Sequence, residues 1–302
     1  MTLSRRRFLT ISSAACFCTG MAQAAPYQWR GVALGARAQI ILDHPDAAAI
    51  SARAQAEIAR LEGVFSLYRA DSELMRLNRA GELFAPSFDL LACLAQVGRV
   101  HKVTEGRFDP TIQPLWEVMA QAAAQGRKVD PEDWADAKGK IGFDRVHFDS
   151  ESVRLDKGQA LTLNGIAQGY IADRVAERMR SEGVKDVMID AGEISAMGQY
   201  QAEAGWPITV FGEDHPRIIK DRGLATSALM GTILDNDGHQ GHILDPRDGN
   251  LRPLGPRQVS VSARKAALAD GLSTGLSLVS SAKDARRLLS KVKDAQLESF
   301  IT

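Results

Sequence analysis

Cysteine is nearly missing from this chain: three residues in 302, with Cys16 and Cys18 close to the start and only Cys93 beyond them. A single remaining thiol excludes an internal disulfide framework. It sits in the apolar run Leu90-Leu91-Ala92-Cys93-Leu94, the setting of a buried structural thiol rather than a nucleophile. Histidine is also scarce, at six, and no His-x-x-x-His pair or Cys/His cluster occurs, which argues against a histidine metal centre. Neither sign of charge is in excess, with 37 basic and 37 acidic residues. Arg5, Arg6 and Arg7 fall in the first 24 residues, which leaves 34 basic against 37 acidic residues. No basic patch or arginine-rich arm is present, which argues against a nucleic-acid partner. A Walker loop is lacking, as is any Gly-x-Gly-x-x-Gly following a strand, so the two commonest nucleotide-binding signatures are excluded.

What is there begins with a three-part targeting pattern. Ser4-Arg5-Arg6-Arg7-Phe8-Leu9 precedes a mildly apolar stretch from Thr10 to Met21 and then Ala22-Gln23-Ala24. Adjacent arginines before Phe-Leu are the twin-arginine export signal, and Ala-x-Ala suits signal peptidase. The apolar stretch is too short and too polar to span a bilayer permanently. Ser13-Ala14-Ala15-Cys16 lacks the leucine expected three residues before a lipidated cysteine, which argues against a lipid anchor. Residues 1–24 therefore read as a signal peptide and 25–302 as the working domain, exported to the periplasm. Its 45% apolar and 25% charged composition is that of an ordinary globular protein.

Along that domain, Trp29 to Leu42 reads as a strand pair. Pro45 opens a helix with Ile50, Ala54, Ile58 and Leu61 on one stripe. Ser72 to Asn78 is a short helix, and Ser87 caps another with Leu90, Leu91, Leu94 and Val97 facing a core. A Gly-, Asp- and Pro-rich loop runs from Thr104 to Pro114, followed by a helix to Ala124 and a shorter one opened by Asp130-Pro131. Ser150-Glu151 turns a hairpin. Leu161-Thr162-Leu163 reads as a strand that enters a helix from Ile166 to Ser181. Strands then follow around residues 187–189, 194–197, 207–211, 224–227 and 257–263, with helices from Lys265 to Val279 and from Lys283 to Leu289. Helices and strands interleave without an αβαβ rhythm, which points to an α+β or mixed α/β fold rather than a doubly wound sheet.

Four segments carry chemistry. Asn164-Gly165-Ile166-Ala167-Gln168-Gly169-Tyr170 ends a strand and starts a helix, where free N–H groups suit a phosphate, although a glycine serving packing alone is an equal reading. Asp190-Ala191-Gly192-Glu193 closes an apolar strand, and in isolation it reads as a turn with solvated carboxylates. Asp270 and Thr274, at i and i+4, share one face of a helix of small and apolar residues. Oxygen donors at that spacing suit a hard cation such as Mg²⁺. Gly271 and Gly275 each weaken that helix by roughly 1 kcal/mol relative to alanine, which points to a close approach there. His242-Ile243-Leu244-Asp245-Pro246 places an imidazole able to take a proton from a hydroxyl nucleophile, or else it is an ordinary surface turn.

Taken in order, these segments resemble the ApbE family of FAD:protein FMN transferases. Ser72-Glu73-Leu74-Met75-Arg76-Leu77-Asn78 is similar to its Ser-Glu-Leu-x-x-Leu-Asn block. Gly106-Arg107-Phe108-Asp109-Pro110-Thr111 with Pro114-Leu115 is similar to Gly-x-Phe-Asp-Pro-Thr…Pro-Leu. The Gly165–Tyr170 segment, His242–Pro246 and Asp270-x-x-x-Thr274 resemble three further blocks. The resemblance implies a two-lobed fold with FAD held between the lobes. It also implies a divalent cation on Asp270, Thr274 and the Ala167 carbonyl, and flavin-nucleotide contacts from Asn78, Asp109, Gly165, Ile166, Gln168, Glu193 and His242. His242 would be catalytic. The implied reaction cleaves FAD, passes FMN to a threonine or serine of a target protein, and releases AMP.

The chain departs from that pattern where the family's Asp-Leu-Gly-Gly-Ile-Ala-Lys-Gly-Tyr reads Thr162-Leu163-Asn164-Gly165-Ile166-Ala167-Gln168-Gly169-Tyr170. An acid and a lysine are gone. With the twin-arginine signal, this variant resembles the NosX branch, which accompanies nitrous oxide reductase in denitrification; the acceptor implied is the membrane-bound NosR flavoprotein. Two alternatives stay open: an FAD pyrophosphatase that uses water as acceptor, and a flavin-binding accessory protein without turnover.

Overall fold

The first two strands, β1 (Tyr27–Ala33) and β2 (Ala36–Leu42), form a hairpin closed by Leu34 and Gly35, both at positive φ. The computed structural model describes residues 25–201, 203–210, 212–228, 243–250 and 255–302. Helix α1 (Ala47–Phe65) buries the stripe of Ile50, Ala54, Ile58 and Leu61 that its spacing predicts. The Ser72 hydroxyl accepts from Met75 N–H to start α2 (Glu73–Ala80), and Gly81 ends it in the left-handed region ahead of β3 (Glu82–Phe84). Ser87 caps α3 (Phe88–Val103) through Leu90 N–H. A 3₁₀ turn at Pro110–Ile112 leads into α4 (Gln113–Ala124), and Asp130 caps α5 (Pro131–Gly139) through Glu132 N–H.

Strands β4 (His147–Phe148) and β5 (Ser152–Arg154) then pair around the Ser150-Glu151 turn, with β3 on the far side of β5. Helix α6 (Ala167–Ser181) is followed by β6 (Val187–Asp190), β7 (Ile194–Met197), the small hairpin β8 (Trp206–Ile208) and β9 (Arg217–Ile219), and β10 (Arg222–Ala228). The chain closes with β11 (Gln258–Ala263), α7 (Ala266–Leu276), α8 (Ala282–Leu289) and β12 (Gln296–Ile301).

The main sheet has seven strands in the order β1-β2-β6-β7-β10-β11-β12, and every neighbouring pair is antiparallel. This is the mixed, non-doubly-wound architecture expected from the sequence. Helices α1, α3, α6 and α7 build the principal core against it, with α7 lying on β10 and β11 and beside α6. A second apolar cluster joins Met188, Ile194, Ala196 and Leu224 to Trp206, Ile208 and Ile219 of the β8–β9 hairpin. A third packs Leu244 against Leu115 and Met119 of α4 and Ala137 of α5, anchoring the segment that follows residue 242. Cys93 is fully buried in the principal core, and that burial pushes its thiol far above the ordinary range, as expected of an inert structural cysteine.

Residues 161–163 are not a strand. The Asn78 side chain takes both polar groups of Leu161, donating to its carbonyl at 2.8 Å and accepting from its N–H at 2.8 Å. Thr162 N–H donates to the Pro110 carbonyl. A side chain and a loop therefore satisfy the backbone that a neighbouring strand would have bonded.

Glu105 ties the loop after α3 to α8, accepting from Arg287 at 3.0 Å and Lys291 at 2.8 Å. Hydrogen bonds from Arg287 and then Lys291 hold its carboxyl down at about 2. A depressed carboxylate stabilises the fold above its unfolded value near 4.5 and loses that contribution as pH falls toward 2. The melting temperature of Glu105→Gln should therefore lie below that of the wild type at pH 7, with the gap closing as both approach pH 2. A gap independent of pH would mean that the ion pairs contribute nothing.

Candidate functional site

Two helices from distant parts of the sequence meet at the site. Leu163 O accepts from both Ile166 N–H and Ala167 N–H, and α6 then begins at Ala167 with no side-chain cap. Facing it is α7, whose i,i+4 pair Asp270 and Thr274 lies on the side toward α6. The Asp270 carboxylate accepts from Gly169 N–H at 3.1 Å. A Cβ on Gly165 would stand 2.9 Å from Thr274 Oγ1, so the turn before α6 and the end of the Asp270–Thr274 face are in direct contact. Phe108 lies against the same turn, its ring edge 3.2 Å from that position. Thr274 Oγ1 is 3.2 Å from the Ser227 hydroxyl of β10, which also bonds Ser273 at 2.8 Å.

The turn between β6 and β7 adds two carboxylates, Glu193 buried and Asp190 half-buried. Glu193 is buried and accepts from Thr226 N–H at 3.0 Å; Asp190 accepts from Gly192 N–H at 2.9 Å. A positive φ at Gly192 leaves room for the Gln168 side chain, whose amide nitrogen would lie 2.3 Å from a Cβ there. Gln168 thus covers this turn, in the place where the family pattern carries a lysine.

Burial dominates the electrostatics. It pushes Asp270 well above the ordinary carboxylate range, reinforced by Asp173 and opposed by the Gly169 amide. Glu193 is raised likewise, by burial first and by Asp270 second, while Asp190 is pushed by burial up to about 6. Among the described residues no cationic side chain pairs with Asp270, Glu193 or Asp190. An unpaired buried carboxylate costs several kcal/mol, which a cation at this place would offset.

The donor set fits a hard divalent ion: a carboxylate and a hydroxyl on one helix face, beside the helix start that carries the Ala167 carbonyl. Among the described residues no three His, Cys, Asp or Glu side chains converge as a softer metal would require.

The structure therefore brings together Gly165, Ile166, Ala167, Gln168, Glu193, Asp270 and Thr274. Asn78 and Asp109 reach the same region by holding backbone. Asn78 fixes Leu161, four residues before Gly165. Asp109 Oδ1 accepts from Thr111 N–H and Oγ1, its Oδ2 accepts from Phe143 N–H, and Phe108 beside it touches Gly165. His242 lies outside the described residues. In the segment after it, Asp245 is buried and accepts a two-pronged bond from the Arg247 guanidinium, at 2.9 and 2.6 Å.

The glycines of α7 make way for neighbouring protein. A Cβ at Gly271 would come within 3.0 Å of Val100 on α3, and one at Gly275 within 2.7 Å of Thr104. Thr226, Ser227 and Asp173 are site residues that the sequence does not reveal, since their partners lie 33 to 94 positions away.

The chain is similar to known proteins along nearly its whole length. The profile of the ApbE family matches residues 34–301. The FAD:protein FMN transferase of Haemophilus influenzae is 29% identical over 208 residues, 63% of this chain and 60% of that protein. The one from Vibrio cholerae is 30% identical over 218 residues, 66% of this chain and 63% of that protein. These alignments thus span about three fifths of the curated relatives' length. Among solved structures, the apo flavinyl transferase ApbE of Pseudomonas stutzeri superposes with a TM-score of 0.80 at 22% identity, covering 93% of this chain and 95% of that one. The ApbE protein of Thermotoga maritima gives 0.80 at 24% identity, covering 90% and 93%. These last two likenesses are of fold.

Proposed function

Since the chain belongs to the ApbE family, we propose that it is a Mg²⁺-dependent flavinyl transferase that moves FMN from FAD onto a threonine or serine of a target protein and releases AMP. One observation carries the reading: Asp270 and Thr274 of α7 meet the start of α6, so oxygen donors for a cation and the positive end of a helix dipole for a diphosphate share one place.

Asp270, Thr274 and the Ala167 carbonyl would hold the cation. When bound, it would spread the charge that develops on the diphosphate. The start of α6 would set the positive end of its dipole beside the same diphosphate, while its Ile166, Ala167 and Gly169 N–H groups stay bonded to Leu163 and Asp270. The acceptor hydroxyl forms a new bond to the FMN phosphorus while the phosphorus–oxygen bond to AMP breaks. AMP leaves with the bridging oxygen, and the hydroxyl proton passes to a base, the role we assign to His242. Asn78 and Asp109 act on this site through the Leu161 backbone and the Phe108–Thr111 loop, which set the path into Gly165.

The twin-arginine pattern at Arg5 and Arg6 supports export and a periplasmic acceptor. The exchange of acid and lysine for Thr162 and Gln168 supports a NosX-type enzyme acting on a membrane-bound NosR-like flavoprotein.

Incubation with FAD, Mg²⁺ and such an acceptor domain should add the mass of one FMN to a single hydroxyl-bearing residue. AMP release at the same rate without any acceptor would instead identify an FAD pyrophosphatase. FAD binding with neither product would identify an accessory protein.

A further inference from the structure

Helix α7 carries the proposed cation donors yet has no cap of its own. Lys265 stands at its N-cap with extended backbone and no side-chain bond to the helix. Its first amides are capped from α6: Asp173 Oδ1 accepts from Ala266 N–H at 2.9 Å and Oδ2 from Ala267 N–H at 3.0 Å. A charged acceptor at a helix N-terminus is favoured by both the hydrogen bonds and the dipole.

Asp173 lies four residues after Gly169 and so on the same face of α6. From that face Gly169 N–H donates to Asp270. Each helix therefore has N-terminal amides held by a carboxylate of the other. The approach is close: a Cβ at Gly169 would stand 2.4 Å from the Ala266 carbonyl oxygen, and one at Gly223 would stand 2.2 Å from the Ala266 Cα. Ala266 is pinned on two sides by glycine backbone, and Asp173, with the Lys265–Glu177 ion pair beside it, restrains α7 from sliding along α6. A displacement of about 1 Å at a reacting or binding group is enough to cost about a hundredfold.

We propose that Asp173 is a positioning residue that sets the register of α7 against α6 and so holds the Asp270 and Thr274 oxygens where a cation can use them. This rests on the metal-dependent reading above. It concerns a residue that touches neither flavin nor metal.

The test is Asp173→Asn in the full chain, titrated with Mg²⁺ in the presence of FAD by calorimetry and assayed for transfer. Asparagine keeps one acceptor oxygen and replaces the other with an amide NH₂ that donates and cannot accept. The Mg²⁺ dissociation constant should rise about ten- to a hundredfold. The KM for Mg²⁺ should rise with it, while kcat at saturating Mg²⁺ stays within a few fold.

Lys265→Ser added to Asp173→Asn supplies a local cap without restoring the tie to α6, and Lys265→Ser alone, which loses the ion pair from Lys265 to Glu177 of α6, is its reference. The double variant should regain thermal stability while Mg²⁺ affinity stays weak. Unchanged Mg²⁺ affinity in Asp173→Asn, or affinity recovered together with stability in the double variant, overturns the proposal. A wild-type chain that binds no Mg²⁺ and transfers no FMN removes the metal-dependent reading itself, an outcome the wild-type arm registers separately.

Discussion

Replacing Asp270 by asparagine is expected to lower metal-dependent FMN transfer by about a hundredfold or more while leaving the fold intact. Asparagine is nearly the same size and can still accept from Gly169 N–H, but it brings a neutral oxygen where a charged ligand is wanted. The stability of the metal-free protein should move the other way. Burial raises Asp270 well above the ordinary carboxylate range, so at neutral pH an ionised Asp270 is a cost to the folded chain. The variant should thus be at least as resistant to urea as the wild type while nearly inactive. Transfer rates across a Mg²⁺ titration, set beside urea denaturation of the metal-free protein, read both effects. Undiminished activity at ordinary Mg²⁺ concentration would remove Asp270 from the ligand set.

The second large effect concerns Gly169, and here two general expectations compete. Glycine inside a helix is worse than alanine by roughly 1 kcal/mol, so Gly169→Ala would stabilise a free-standing α6. Against this, the new Cβ would lie 2.4 Å from the Ala266 carbonyl oxygen and 2.6 Å from Ala267 N, both backbone atoms that cannot turn aside. Overpacking of this kind costs about 1–3 kcal/mol and also displaces the start of α7. Overpacking wins. Gly169→Ala should be less stable than wild type by about 1–2 kcal/mol and should lose transfer activity with it. Gly63 in α1 supplies the control, because nothing lies within 4 Å of a Cβ there. Gly63→Ala should gain up to about 1 kcal/mol in the same urea experiment. A Gly169→Ala variant as stable as Gly63→Ala would mean that α6 and α7 are not in the contact described.

The contrast between these glycines shows what the sequence can and cannot convey. Local signals were readable: the stripe of Ile50, Ala54, Ile58 and Leu61, the caps at Ser72, Ser87 and Asp130, and the 27–42 hairpin all match the structure. Their determinants lie within a few residues of each other. The spacing of Asp270 and Thr274 is local in the same sense, which is why their shared face of α7, turned toward the start of α6, could be read directly.

What failed depended on partners far along the chain. Leu161-Thr162-Leu163 has the composition of a strand, yet its backbone is taken by Asn78, 83 positions earlier, and by Pro110. Gly271 and Gly275 did signal a close approach, but only the fold shows that α3 and Thr104 are what approach. Glu193 looked like part of a solvated turn because nothing nearby announces that β10 and α7 cover it. Asp173, inside an amphipathic helix, is indistinguishable in sequence from an ordinary surface acid; only the arrival of Ala266 and Ala267 gives it a role. Strands β9 and β12 escaped notice because β9 is three residues long with an exposed isoleucine at its centre and β12 does not alternate strictly.

FMN transfer as proposed requires a single dication sharing the oxygens of α7 and the start of α6 with a flavin dinucleotide. Crystals grown with FAD and Mn²⁺ in place of Mg²⁺ would locate that ion by its anomalous scattering. The expected position lies among the Asp270 carboxylate, the Thr274 hydroxyl and the Ala167 carbonyl, with the FAD diphosphate completing the shell. An ion bound elsewhere, or FAD seated with its diphosphate away from α6, would contradict it.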